Sequence, residues 1–399
     1  MSIMTLTPLP TKTAKGISRK HCLITVDRGM GSVEEKTLWY EIPDTVPLPP
    51  DDDCDPYVLA MLMEAMLENA VLKVKGSVSA RLIENLCEYQ SAWHCWLPKT
   101  FSIIEVEADK LRQSEARTEG AVCAFSGGID AAFSIWRHHH KLCGHQSKEI
   151  KLGILIQGFD INLRQERLFE NSLKSATETL SDLGIPVVPL KTNYREIAKS
   201  PWEYSHAAAF AGAFNLFKKT AGACVYGSSE PYNRMVIPWG SNPVTDQFLS
   251  SGDFRFIHDG ASFTRVEKTV VVSEWQKAMD NLRVCWSSSG AHLNCGECEK
   301  CVRTAMNFLS SNLQVPKSLQ GHDLAAKVKK VYLRNLVLGE WEFSLEQAEK
   351  NGIEADWVDA LREALRSKKT RLTNKMHHIV KAVFRKINKA VFRKIKLLR

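Results

Sequence analysis

Two stretches of this 399-residue chain carry residue types at spacings that could do chemistry. The first, AVCAFSGGIDAAFSIW at 121–136, runs an apolar segment into Ser126-Gly127-Gly128-Ile129-Asp130 and then into a helix-like segment. Adjacent glycines let backbone N–H groups point into one concavity, with no Cβ to hold a ligand away. The following helix adds the positive end of its dipole, so the turn favours a phosphate or pyrophosphate. Ser126 adds a hydroxyl donor. Asp130 would repel phosphate, which implies either a bound Mg²⁺ or a cap on the helix. The alternative is a tight strand-to-helix turn that binds nothing.

The second stretch, CWSSSGAHLNCGECEKC, places Cys285, Cys295, Cys298 and Cys301 as C-x9-C-x2-C-x2-C. Four thiolates at this spacing satisfy a tetrahedral Zn²⁺ with no open position, which predicts a structural site holding a C-terminal lobe against the rest. An iron–sulfur cluster uses the same ligand type. The other seven cysteines are scattered singly, and the prolines of MSIMTLTPLPTKTAKG interrupt any apolar signal core, so a reducing, cytoplasmic setting is expected.

Apolar runs at 121–125, 152–158, 185–190 and 223–228 alternate with helix-length segments from about residue 119. This spacing suits strand–helix–strand crossovers and predicts an α/β, doubly wound parallel sheet, whose ligands bind at the carboxyl ends of the strands. Residues 1–118 read as a small α+β domain, with strand candidates HCLITV and TLWYEI and an amphipathic helix candidate at YVLAMLMEAMLENA. Residues 119–315 then form the phosphate-binding domain with the cysteine site, 316–367 a helical segment and 368–399 a basic tail.

An SGGxD loop after an apolar strand resembles the PP-loop ATP pyrophosphatases, the adenine nucleotide alpha-hydrolase-like superfamily. The added C-x9-C-G-x-C-x-x-C resembles the 7-cyano-7-deazaguanine synthase branch, over about residues 119–310. The resemblance implies that the loop holds the pyrophosphate of ATP. The α-phosphate is then open to attack by a carboxylate, small-molecule or macromolecular, and the adenylate passes to ammonia or an amine. ATP, Mg²⁺ and structural Zn²⁺ are the implied cofactors. Ala131 stands where the family has Ser or Thr, and Ser134, one turn on, substitutes only in part. The alternative is a non-catalytic nucleotide-binding subunit that recruits a partner.

Strand-end loops predict the remaining contacts: Gln157 and Gly158 after the second run, Gly227 and Ser228 after the fourth. Arg265 and Lys268, at i and i+3, would share a helix face and stabilise charge on the phosphates. His206 reads as a capping or packing residue, and the His138–His140 triplet as a polar surface.

The formal charge of +8 belongs to the tail. Residues 368–399 carry twelve Lys and Arg and no acid, leaving 41 basic against 45 acidic side chains in the remainder. Basic pI is therefore no argument for nucleic-acid binding by the body. In the tail VKAVFRKI (380–387) is followed by NKAVFRKI, giving a basic amphipathic pattern. It suits an anionic membrane surface, peripheral at the inner membrane, or an acidic partner.

Overall fold

The computed structural model describes residues 2–368 apart from 30, 32, 114–115, 286–287, 289–291 and 320–322. The basic tail, beyond its first residue, lies outside the described residues. The ten strands are β1 (Ser2–Ala14), β2 (Ile17–Asp27), β3 (Val33–Pro43), β4 (Ala70–Ser79), β5 (Val106–Arg112), β6 (Ala121–Ala124), β7 (Ile150–Gln157), β8 (Val187–Thr192), β9 (Ala223–Gly227) and β10 (Arg255–Asp259). They form one mostly parallel sheet in the order β10-β9-β6-β7-β8-β3-β2-β1-β4-β5. The helices are α1 (Asp55–Glu68), α2 (Ala80–Trp96), α3 (Ile129–His139), α4 (Glu166–Ser181), α5 (Tyr194–Ile197), α6 (Trp202–Asn215), α7 (Arg265–Ser273), α8 (Gln276–Asp280), α9 (Glu299–Ser310), α10 (Leu324–Lys330) and α11 (Leu338–Lys350).

The five strands β6 to β10 run parallel to one another. Alternate residues of β6 enter opposite cores, as a strand's period of two requires. Val122 joins α1 and α6, whereas Ala121 and Cys123 join α3 and α9. The helices therefore cover both faces, as expected for a doubly wound α/β sheet.

The first 118 residues supply five strands to this same sheet, attached through the antiparallel pairs Tyr40↔Thr192 and Glu41↔Lys191. β1 carries Pro8 and Pro10, which argue against a central strand in the sequence. Its parallel partner β4 reaches only as far as Leu6, so beyond that point the second edge of β1 has no strand to bond and proline is tolerated. The amphipathic expectation for α1 is corrected: Asp55 through Met66 are all buried, because α6 covers the outer side of the helix. That approach needs Gly212, where a Cβ would lie 2.5 Å from the Pro56 carbonyl.

Candidate functional site

Chain order runs β6 to β7 to β8 in one direction and then jumps to β9 on the other side of β6. The carboxyl ends of β6 and β9 thus flank the topological switch point, where open α/β sheets bind ligands. The Ser126–Gly128 turn leaves β6 at this point. Gly127 takes φ +77°, a left-handed conformation open to glycine, and its carbonyl accepts a 3.0 Å bond from Arg283 N–H. Gly128 is the N-cap of α3 and no side chain caps the helix, so the first N–H groups of α3 remain for a ligand. Gly227 at the end of β9 permits the closure, since a Cβ there would sit 2.8 Å from the Asp130 carbonyl.

A cavity of about 610 Å³ opens over this turn, within the usual range for small-molecule sites. Its polar wall includes Ser126, Asp130, Glu230, Arg265, Lys300 and Arg303, with Arg283 beside the turn. Its opposite wall is aromatic, formed by Phe159, Trp202, Phe210, Tyr226 and Trp239. The Nε atoms of Arg265 and Arg283 are buried without a hydrogen-bond partner among the described residues. Such donors are costly to strand and fit an anionic ligand such as the phosphates of a nucleotide, although Arg265 also lies within ion-pair distance of Asp130 and Glu340.

Asp130 does not cap α3. Its carboxylate pairs with Arg265 Nη1 at 2.9 Å and Lys268 Nζ at 3.4 Å. Burial pushes its proton affinity up, but the charges of Arg265, Lys268, Lys300 and Arg303 together outweigh burial and hold the carboxyl below its ordinary range. Glu230 is the contrasting acid. Burial pushes it up to about 7, against the pull of Arg303 and with the Asp130 charge adding to the rise. Both Arg265 and Lys268 lie on the first turn of α7, which a reciprocal capping box between Thr264 and Glu267 fixes in place.

Several residues expected to touch ligand are turned inward. Lys268 is buried and its ammonium donates to Ser228 O, Ser228 Oγ and Asp130, which uses its three donors. It positions Asp130 and the β9 turn and is not among the residues lining the cavity. Ser228 is correspondingly buried. Ser134 donates to Asp259 Oδ2 at 2.7 Å, so it does not replace the hydroxyl missing at Ala131, whose side of α3 lines the cavity. Gln157 spends its Nε2 on the carbonyls of Asn162 and Leu163 and on Glu166, while its Oε1 is buried with no hydrogen-bond partner among the described residues. His206 packs at the cavity wall with Nδ1 3.0 Å from Trp202 O, as a packing residue should. The histidine triplet is a correction: His138 is buried against Asp259 at 3.3 Å, and only His139 and His140 face solvent.

Gly158 is needed for packing. It has φ +99°, and a Cβ would fall 1.7 Å from the Thr192 carbonyl. Gly158→Ala is expected to cost on the order of 3 kcal/mol from backbone strain and overpacking. Chemical denaturation measures this; wild-type stability with selective loss of nucleotide binding would instead make Gly158 a ligand contact.

The four clustered cysteines converge. Their sulfurs approach at 3.7 Å (Cys285–Cys298), 3.9 Å (Cys295–Cys301) and 3.5 Å (Cys298–Cys301). A tetrahedron with bonds of about 2.3 Å has edges of about 3.8 Å, so the donor set fits one ion such as Zn²⁺. A multi-iron cluster would hold the sulfurs farther apart than one ion does. Crowding places one thiolate in the set: hydrogen bonding from Cys301 lowers Cys298 to about 5, and the shared proton raises Cys301. Asn294 ties the first ligand to the others by accepting from the backbone N–H groups of Val284 and Cys285 at 2.9 and 3.2 Å.

This centre adjoins the cavity through the chain. Cys285 follows Arg283 by two residues, and Cys298 is the N-cap of α9, whose first turns carry Lys300 and Arg303. Arg283, Lys300, Arg303 and Glu230 carry no local sequence signal of their own; proximity to the cysteine motif is the clue to the first three. Among the described residues no helix is long and apolar enough to cross a membrane. No family model, curated protein or solved structure matches this chain.

Proposed function

We propose that this protein is an ATP-dependent adenylating enzyme that activates a carboxylate, releases pyrophosphate and passes the acyl group to ammonia or an amine. The carrying observation is the convergence of the Ser126–Gly128 turn, the uncapped start of α3 and the buried Nε donors of Arg265 and Arg283 at the switch point. Backbone N–H groups and Ser126 would hold the terminal phosphates, and Arg265, Arg283, Lys300 and Arg303 would stabilise the charge that builds as pyrophosphate departs. The aromatic wall suits the nucleotide base or another planar ring. Asp130 would hold Mg²⁺, which supplies charge neutralisation and orientation at the phosphates. The reading carries over the resemblance to PP-loop ATP pyrophosphatases and their 7-cyano-7-deazaguanine synthase branch, and rests on the parallel strands around the loop and on the cysteine cluster.

A non-catalytic nucleotide-binding subunit is the second reading, favoured by the methyl of Ala131 at a cavity position where the resembled family places a hydroxyl. Pyrophosphate release from Mg–ATP across a panel of carboxylates, with ammonia supplied, separates the two. The enzyme reading expects release that depends on one carboxylate class; nucleotide binding without release from any member supports the second. The basic tail supports attachment to an anionic membrane surface or an acidic partner in either case.

A further inference from the structure

Among the five carboxyl groups that line the cavity, Asp130, Asp160, Glu203, Glu230 and Glu340, two stand in opposite environments. Asp130, on α3, is locked between Arg265 and Lys268 of α7. Glu230, just past β9, lines the same cavity, and what acts on it is burial and surrounding charge rather than a hydrogen bond. A pair of acids whose surroundings push their proton affinities apart divides the labour between fixed charge and proton transfer. The groups acting on Glu230 are Arg303 of α9, Asp130 of α3, and Arg265 and Lys268 of α7; Glu340 of α11 lies on the same wall but is taken up by Arg303.

We infer that Glu230 is the proton carrier of this site: it is neutral while a triphosphate is bound, and ionised it accepts the proton of the attacking amine. This rests on the adenylation reading. In the first step the substrate carboxylate attacks the α-phosphorus, the bond to the bridging oxygen breaks, and pyrophosphate leaves with that electron pair and the Glu230 proton. Glu230, now a carboxylate, takes a proton from the ammonium form of the acceptor. The freed amine attacks the acyl carbon, the C–N bond forms, AMP departs with the electrons of the C–O bond, and the remaining amine proton goes to solvent. No electron acceptor or donor is needed.

The physical basis is that a carboxyl titrating at about 7 in the free site lies among phosphates once ATP arrives, and like charge raises it further. Mg–ATP binding at pH 8, where terminal phosphates are already ionised, should therefore take up close to one proton. Two other groups could mimic this. Burial lowers the proton affinity of Lys268 and of Lys300, so either could also take up a proton when phosphate enters.

The test is calorimetric titration of the whole protein with Mg–ATP at pH 8 in buffers of different ionisation enthalpy, for the wild type and Glu230→Gln. The expected result is uptake of about one proton in the wild type and little in the variant, with ATP bound by both. Binding by the wild type with no uptake overturns the inference and leaves nucleotide binding standing. Unchanged uptake in Glu230→Gln also overturns it and assigns the proton to a lysine. Absence of binding to either protein overturns the nucleotide reading and the inference with it. Should Glu230→Gln not fold, Lys268→Arg and Lys300→Arg, which keep a fixed charge, take its place: uptake that persists in both supports Glu230, and uptake lost in either overturns the inference.

Discussion

Asp130→Ala is expected to reduce pyrophosphate release by about 10²–10³-fold, comparable to the loss of one preorganised electrostatic contact at a transition state. The substitution strands Arg265 and Lys268, both buried, with their shared carboxylate gone. Breaking a buried pair in this way costs about 3–5 kcal/mol of stability, so activity must be compared on protein shown to be folded. Asp130→Asn keeps the volume and removes the charge, and should show nearly the same loss of rate. Release at the wild-type rate by folded Asp130→Asn would exclude the carboxylate from the chemistry.

The same ion pairs set an acid limit. Asp130 is held below its ordinary range, so its contribution is complete above the unfolded aspartate value near about 3.9 and is lost as pH falls through the lower folded value. Asp130→Asn should lower the melting temperature at neutral pH without changing its slope there, and flatten the decline within that acid window.

The second large effect concerns the metal. The wild type should carry one equivalent of Zn²⁺, and Cys298→Ser should carry little and bind Mg–ATP at least about tenfold more weakly. The ligands sit where the cations of the cavity are anchored: Cys285 beside Arg283, Cys298 at the start of α9 ahead of Lys300 and Arg303. α9 also bridges two cores, with Cys301 and Phe308 on the sheet side and Val302 and Met306 packed with Trp341, Trp357 and Leu361. Losing the ion should therefore loosen residues 281–365 first while the sheet persists. Limited proteolysis after chelation, alongside metal analysis, checks this; unchanged cleavage and unchanged ATP affinity in metal-free protein would rule out a positioning role for the centre.

The residues that strand position 126–130 and the cysteine spacing made conspicuous were legible because each motif is local: a turn needs its glycines in sequence, and a chelate needs its thiols within a few residues. The alternating apolar runs likewise revealed β6 to β9 and the helices between them, since burial on both faces imposes a continuous hydrophobic strand. Long-range choices had no such imprint. Nothing near Tyr40 or Thr192 announces that they pair and so extend the sheet through the first 118 residues. The same holds for polar side chains. Ser134, Gln157, Ser228 and Lys268 look like ligand contacts by position, yet each is bonded to a neighbour within the protein. Glu230, Arg283, Lys300 and Arg303 became one wall only when β9, the cysteine segment and α9 met over the turn. Sequence by itself thus determined which backbone could cradle phosphate and which thiols could share an ion. Tertiary structure decided which charges are spent on one another and which remain for a ligand, because that depends on burial and on partners as far as 165 residues away.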